Sequence, residues 1–144
     1  MIRLVIVDDH PVVRDGLRGM LTTHPDFDVV GEAGDGAEAI AVINAVTPDV
    51  VLMDLRMPLV DGVTAITKLR ADGNTARILV LTTYDTDSDV LPAIKAGATG
   101  YLLKDTPSEE LFRAIRATAR GEAVLAPVVA TRLMNRMRSP AAES

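Results

Sequence analysis

Three runs of consecutive aliphatic residues constrain this chain more than any other feature: Leu4-Val5-Ile6-Val7, Val50-Val51-Leu52-Met53 and Ile78-Leu79-Val80-Leu81. Runs of this length are strand-sized. Because no polar residue alternates with the apolar ones, both faces of each strand must be covered, as in a parallel sheet sandwiched between helices. With Phe27 to Ala33 and Thr99 to Leu103, also rich in β-branched and aliphatic residues, they predict five strands. The first, third and fourth are expected to span Ile2 to Val7, Asp49 to Met53 and Arg77 to Leu81.

Helical spacing fills the gaps. Val13, Leu17 and Leu21, then Ala37, Ile40 and Ala41, then Val63, Ile66 and Leu69, and finally Leu111 and Ile115 recur at intervals that place each set on one helix face. The alternation predicts an α/β fold of (βα)₅ type with a doubly wound, five-stranded parallel sheet. Thr106-Pro107-Ser108-Glu109 has the form of a capping box with proline at the first helical position, and Asp35 to Glu38 repeats the cap spacing. Gly97 marks a stop for the fourth helix. That helix, Asp87 to Ala96, carries Pro92, whose interior cost of about 3 kcal/mol implies a late start or a weak helix.

The pattern changes past Gly121. The expected organisation is one domain over residues 1–121, followed by 122–144 as a short helix opened by Pro127 and a linker over 139–144. Arg132, Arg136 and Arg138 fall at helical spacing there and read as a solvated helix face.

Composition narrows the function. Aromatic residues make up 3% of the 144 and the formal charge is −5, so neither a base-stacking platform nor a basic phosphate-binding surface is expected. The absence of cysteine removes disulfides, thiol catalysis and thiolate metal ligands. No apolar run approaches the roughly 20 residues needed to span a bilayer, and the chain opens without a signal-peptide layout. It reads as soluble and cytoplasmic.

In such a sheet, functional groups gather beyond the carboxyl ends of the strands. Asp8 and Asp9 follow the first strand, Asp54 the third, Thr82 and Thr83 close the fourth, and Lys104 follows the fifth. Singly, each has an ordinary reading as a cap, a turn residue or a solvated strand end. Together, three carboxylates repel one another and call for a cation. Oxygen-only ligands suit Mg²⁺, and with Lys104 it would neutralise the three acids, a setting prepared for phosphate chemistry.

These residues resemble the receiver domains of response regulators. The matching pieces are Val5-Ile6-Val7-Asp8-Asp9-His10, Val51 to Pro58 with Asp61-Gly62, Leu81-Thr82, and Gly97 to Lys104. The likeness extends over residues 1 to about 120, and Asp105 after the lysine, with Val12-Val13-Arg14 after Pro11, is most similar to the NarL/FixJ (LuxR-type) subfamily.

The resemblance implies a flavodoxin-like strand order of 2-1-3-4-5 and a phosphoacceptor regulator rather than an enzyme. Asp54 would take the phosphoryl group from a sensor histidine kinase, Asp9 would hold Mg²⁺ directly, Asp8 more through water, and the Arg56 backbone carbonyl would complete the protein ligands. Lys104 and Thr82 would contact phosphoryl oxygens, with Tyr101 turning inward as Thr82 moves. Arg56 and Tyr84 would flank the phosphoryl group. A homodimer is implied, and DNA would be reached only through a helix-turn-helix output domain that this sequence does not include. Three other readings stay open: a Mg²⁺-dependent aspartyl phosphatase, for which the adjacent Asp8-Asp9 pair lacks the usual spacing; a flavin or nucleotide binder, for which Gly31 to Gly36 lacks the glycine fingerprint; and an interaction module that is never phosphorylated.

Overall fold

The computed structural model describes residues 1–83 and 87–138, with the backbone alone at 87–89. Tyr84 and the linker expected over 139–144 lie outside the described residues. The elements follow in the order β1 (Ile2–Val7), α1 (Pro11–Thr22), β2 (Phe27–Ala33), α2 (Gly36–Val46), β3 (Val50–Met53), α3 (Gly62–Ala71), β4 (Arg77–Thr82), α4 (Asp87–Ala96), β5 (Gly100–Leu103), α5 (Ser108–Ala119), β6 (Val124–Leu125) and α6 (Pro127–Arg138).

One parallel sheet runs in the order β2-β1-β3-β4-β5-β6. The five strands and their order are as expected, and the two-residue β6 adds an edge. Two residues are too few to produce a periodic signal, so β6 is set by its neighbours. Gly100 stands opposite Val124, and a Cβ on Gly100 would lie 2.7 Å from the Val124 carbonyl oxygen, so only glycine lets the edge approach. The Ala126 N–H then donates to the Tyr101 carbonyl at 3.0 Å.

The central strands behave as continuous apolar runs should. Leu4, Val5, Ile6, Val50, Val51, Ile78, Leu79 and Val80 are all fully enclosed, between helices on both faces. At the end of α4 the Gly97 stop is present, with φ of +118° and the Ala98 N–H bonded back to the Ala93 carbonyl at 3.0 Å.

Four local expectations change. In α2 the buried face is Gly36, Ala39 and Ile43, while Ala37 and Ala41 are exposed. That helix is apolar nearly all round, so its period selects no face. The capping box before α5 does not form. The Thr106 hydroxyl donates instead to the Leu103 carbonyl at 2.6 Å, and Pro107 becomes the cap residue with no side-chain bond to the helix. In α6, Arg132 and Arg136 are half-buried beside Val90 and Leu91 of α4 rather than solvated, and Arg138 alone of the three is exposed. Finally, α4 does not start late: it runs from Asp87 through Pro92, with Val90 and Ala93 buried beneath it.

Candidate functional site

Strand register brings the acids together. Val7 pairs with Met53, and the Asp54 N–H donates to the Val7 carbonyl at 2.9 Å, so Asp8 and Asp54 leave adjacent strands side by side. Across β4, Thr82 pairs with Leu103, and the Lys104 N–H donates to the Thr82 carbonyl at 2.9 Å. Lys104 needs its full length to reach the acids, since β4 and β3 lie between β5 and β1. Its Nζ is 2.6 Å from Asp8 Oδ2 and 3.2 Å from Asp54 Oδ2.

The β3–α3 connection is held tightly against this end. A Cβ on Gly62 would meet the Asp54 carbonyl oxygen at 2.5 Å and Leu55 Cα at 2.8 Å, so glycine alone allows α3 to begin there. The Gly62 N–H donates to the Leu55 carbonyl at 2.7 Å, and the Asp61 carboxylate caps α3 by accepting from the Thr64 N–H at 2.8 Å. Asp54 Oδ1 accepts the Leu55 N–H at 2.8 Å.

Asp8 and Asp54 are 2% and 4% exposed, Thr82 is fully buried and Lys104 is 18% exposed. Burial pushes the Asp54 carboxyl above its ordinary range; the Lys104 charge and hydrogen bond pull it back in part, and the nearby Asp8 charge adds to the rise. For Lys104, burial acts downward, but the hydrogen bond to Asp8 and the charges of Asp54 and Asp8 outweigh it and raise the ammonium above its ordinary value. One half-buried cation therefore serves two buried carboxylates.

Asp8, Asp9, Asp54 and His10 each present one ligand atom within 4.8 Å of the others. Asp9 Oδ1 is shielded from solvent and has no hydrogen-bond partner, although His10 Nδ1 is 2.9 Å away. An unsatisfied carboxylate oxygen beside two further acids is a donor set that fits a hard divalent cation such as Mg²⁺.

Arg56 follows in the loop after β3 with its side chain exposed, and Tyr101 is fully enclosed on β5 between Val80 of β4 and Leu125 of β6. Two neighbours had no role in the sequence reading. The His10 ring turns toward Asp8 and Asp9, and Arg14 Nη1 donates to the Asp8 carbonyl at 2.6 Å. The Asp-Asp-His adjacency was a visible signal for the first; only the first turn of α1 reveals the second.

The response regulator receiver domain family matches residues 4–116, and this chain belongs to it. Its relatives are NarL/LuxR-type response regulators. The nitrate/nitrite response regulator protein NarP of Escherichia coli K12 is 50% identical over 122 residues, which is 85% of this chain and 57% of the relative. The uncharacterized transcriptional regulatory protein YxjL of Bacillus subtilis 168 is 46% identical over 134 residues, 93% of this chain and 62% of the relative. Among solved structures, a LuxR-family two-component response regulator from Aurantimonas sp. SI85-9A1 superposes with a TM-score of 0.88 at 36% identity, covering 95% of this chain and 98% of that one. The chain thus spans about three fifths of the length of the two sequence relatives. Among the described residues, no helix is long and apolar enough to cross a membrane.

Proposed function

We propose that this chain is the phosphate-accepting switch of a two-component system, with Asp54 as acceptor and a sensor histidine kinase as donor. The observation that carries it is the buried Asp54 carboxylate sharing the Lys104 ammonium with Asp8 at the open end of the sheet, beside the unsatisfied Asp9. An Asp54 oxygen attacks the phosphorus of a phosphohistidine. The P–N bond breaks, its electron pair returns to the imidazole, which takes up a proton, and an acyl phosphate remains on Asp54.

Phosphoryl transfer asks mainly for positioning and charge neutralisation. Asp9 would hold Mg²⁺ directly, Asp8 largely through water, with Asp54 and the Arg56 carbonyl as further ligands; the ion supplies positive charge to phosphoryl oxygens when bound. Lys104 pairs with one phosphoryl oxygen and Thr82 donates to another. Phosphorylation adds a charge of about −1.5 to −2. Thr82 on β4 and Tyr101 on β5 relay that change toward α4 and to an output that regulates transcription through a DNA-binding domain outside this sequence. Residues 1–121 form the receiver and 122–144 lead toward that output. The setting is the cytoplasm, and a homodimer is the assembly.

Exposure to acetyl phosphate or beryllofluoride with Mg²⁺ is expected to modify the wild type and leave Asp54→Asn untouched, read by intact mass or by ¹⁹F NMR. Equal modification of both proteins would remove Asp54 as the acceptor.

A further inference from the structure

We infer that His10 turns the acid pocket into a mixed nitrogen-and-oxygen site that takes a borderline transition-metal dication, of the Co²⁺ or Zn²⁺ kind, in competition with Mg²⁺. The inference rests on the pocket being a cation site and adds a ligand and a selectivity to it.

His10 Nδ1 lies 2.9 Å from Asp9 Oδ1 and 3.2 Å from Asp8 Oδ1. Neighbouring octahedral ligands at about 2.1 Å from an ion are about 3.0 Å apart, and tetrahedral ligands at about 2.0 Å are about 3.3 Å apart. Both contacts of His10 Nδ1 therefore match ligand spacing, and all the donors, Asp54 included, lie within 4.8 Å of one another. The ring is held there by its own backbone, whose N–H donates to Asp8 Oδ1 at 2.8 Å, and by Pro11, which opens α1 immediately after it. Although His10 occupies the cap position of α1, its side chain makes no capping bond; Nδ1 instead forms a hydrogen bond with Asp8 Oδ1 at 3.2 Å, a contact that an ion between the two would replace.

Asp9 Oδ1 lacks a hydrogen bond even at 2.9 Å from that nitrogen, which leaves the oxygen lone pairs for an ion. The ring is 66% exposed, so binding through it costs little desolvation. Mg²⁺ favours oxygen and water, whereas imidazole favours Co²⁺, Ni²⁺, Cu²⁺ and Zn²⁺. The other histidine, His24, stacks between Phe27 and Phe112 with ring centroids 5.7 and 4.2 Å away, and belongs to a separate cluster.

Calorimetric titration of the chain with CoCl₂ and, separately, MgCl₂ tests this, alongside ¹⁵N NMR of the imidazoles on adding ZnCl₂. His10→Ala and His10→Gln are each expected to weaken Co²⁺ at least about tenfold while leaving Mg²⁺ within about twofold. His24→Ala is expected to change neither, and Zn²⁺ should shift the Nδ1 resonance of His10. Co²⁺ affinity indifferent to His10, or lost with His24, or an equal loss of Mg²⁺ and Co²⁺ in the His10 variants, would overturn the inference. Asp9→Asn separates the two levels. If Mg²⁺ binds the wild type and is lost in Asp9→Asn while Co²⁺ ignores His10, only the nitrogen ligand falls; if the wild type binds neither ion, the cation pocket falls with it.

Discussion

The two flanks of the sheet are fastened in different ways. On the β2 side, α2 and α3 begin from Asp35 and Asp61, whose carboxylates accept the Glu38 and Thr64 N–H groups at 2.8 Å. On the β5 side, α5 begins from Pro107 with no side-chain cap, and α4 runs through Pro92. Each aspartate cap contributes about 1 kcal/mol, and an interior proline costs about 3 kcal/mol. The starts of α2 and α3 are thus held locally, whereas α5 and α4 depend on packing, with Tyr101 buried on β5 and α6 laid against α4. Elements that move in a switch come from the low-stability end of a fold. If Asp54 is the phosphoacceptor proposed above, the contrast predicts its response on the β5 side, which Thr82 at the end of β4 and Lys104 just after β5 border.

Substitution can break this contrast from either side. The largest effect is expected on the fastened flank, where Gly62→Val would drive a side chain into the Asp54 carbonyl and Leu55. With backbone as the obstacle, a loss above about 3 kcal/mol is expected in urea denaturation; a loss below 1 kcal/mol would mean that the β3–α3 joint yields. Next is Arg70, which joins the flanks. Its Nη1 donates to the Asn74 and Ala76 carbonyls at 3.0 and 2.8 Å, and its Nη2 to the Gly97 carbonyl at 2.8 Å. Arg70→Ala should cost about 2 kcal/mol and speed hydrogen exchange at the end of α4 more than in α2. Pro92→Ala sharpens the contrast in the opposite direction: it restores a helix N–H and should gain about 1 kcal/mol, seen as slower exchange confined to α4.

Sequence patterns were clearest where one physical demand acted alone. The buried strands β1, β3 and β4 announced themselves because a two-sided covering tolerates no polar residue. The acids, Thr82 and Lys104 stood out because they end such strands at corresponding positions. Legibility failed where demands overlapped or were absent. The apolar surface of α2 surrounds the helix, so Ala37 and Ala41 looked as buried as Ala39 and Ile43. Thr106 carried the letters of a cap but spent its hydroxyl on the Leu103 carbonyl. The strand β6 exists because Gly100 leaves room for it, a fact of spacing between distant residues that no local window contains. His10 stood in plain view beside two aspartates, yet only coordinates show its ring turned toward them.

The smallest expected effect lies at the seam between the flanks. Burial raises the Asp54 carboxyl, so in the absence of a cation its ionised form is disfavoured in the folded chain relative to the unfolded one. Below its ordinary value of 3.8, the group is protonated in both states and costs nothing. As pH rises through that value and then through the raised folded one, the unfolded chain gives up its proton first and stability is lost. Lys104, raised rather than lowered, stays charged throughout this window and does not obscure it. Asp54→Asn should therefore be more stable than the wild type at pH 7 by up to about 1 kcal/mol, the advantage shrinking toward zero as the medium is acidified. Mg²⁺ should narrow the same gap at neutral pH by stabilising the wild type through mass action. Thermal melts of both proteins across pH, with and without Mg²⁺, measure this. A pH-independent difference would mean that the asparagine alters packing rather than charge, and that the seam is set by shape instead of by one ammonium shared between two carboxylates.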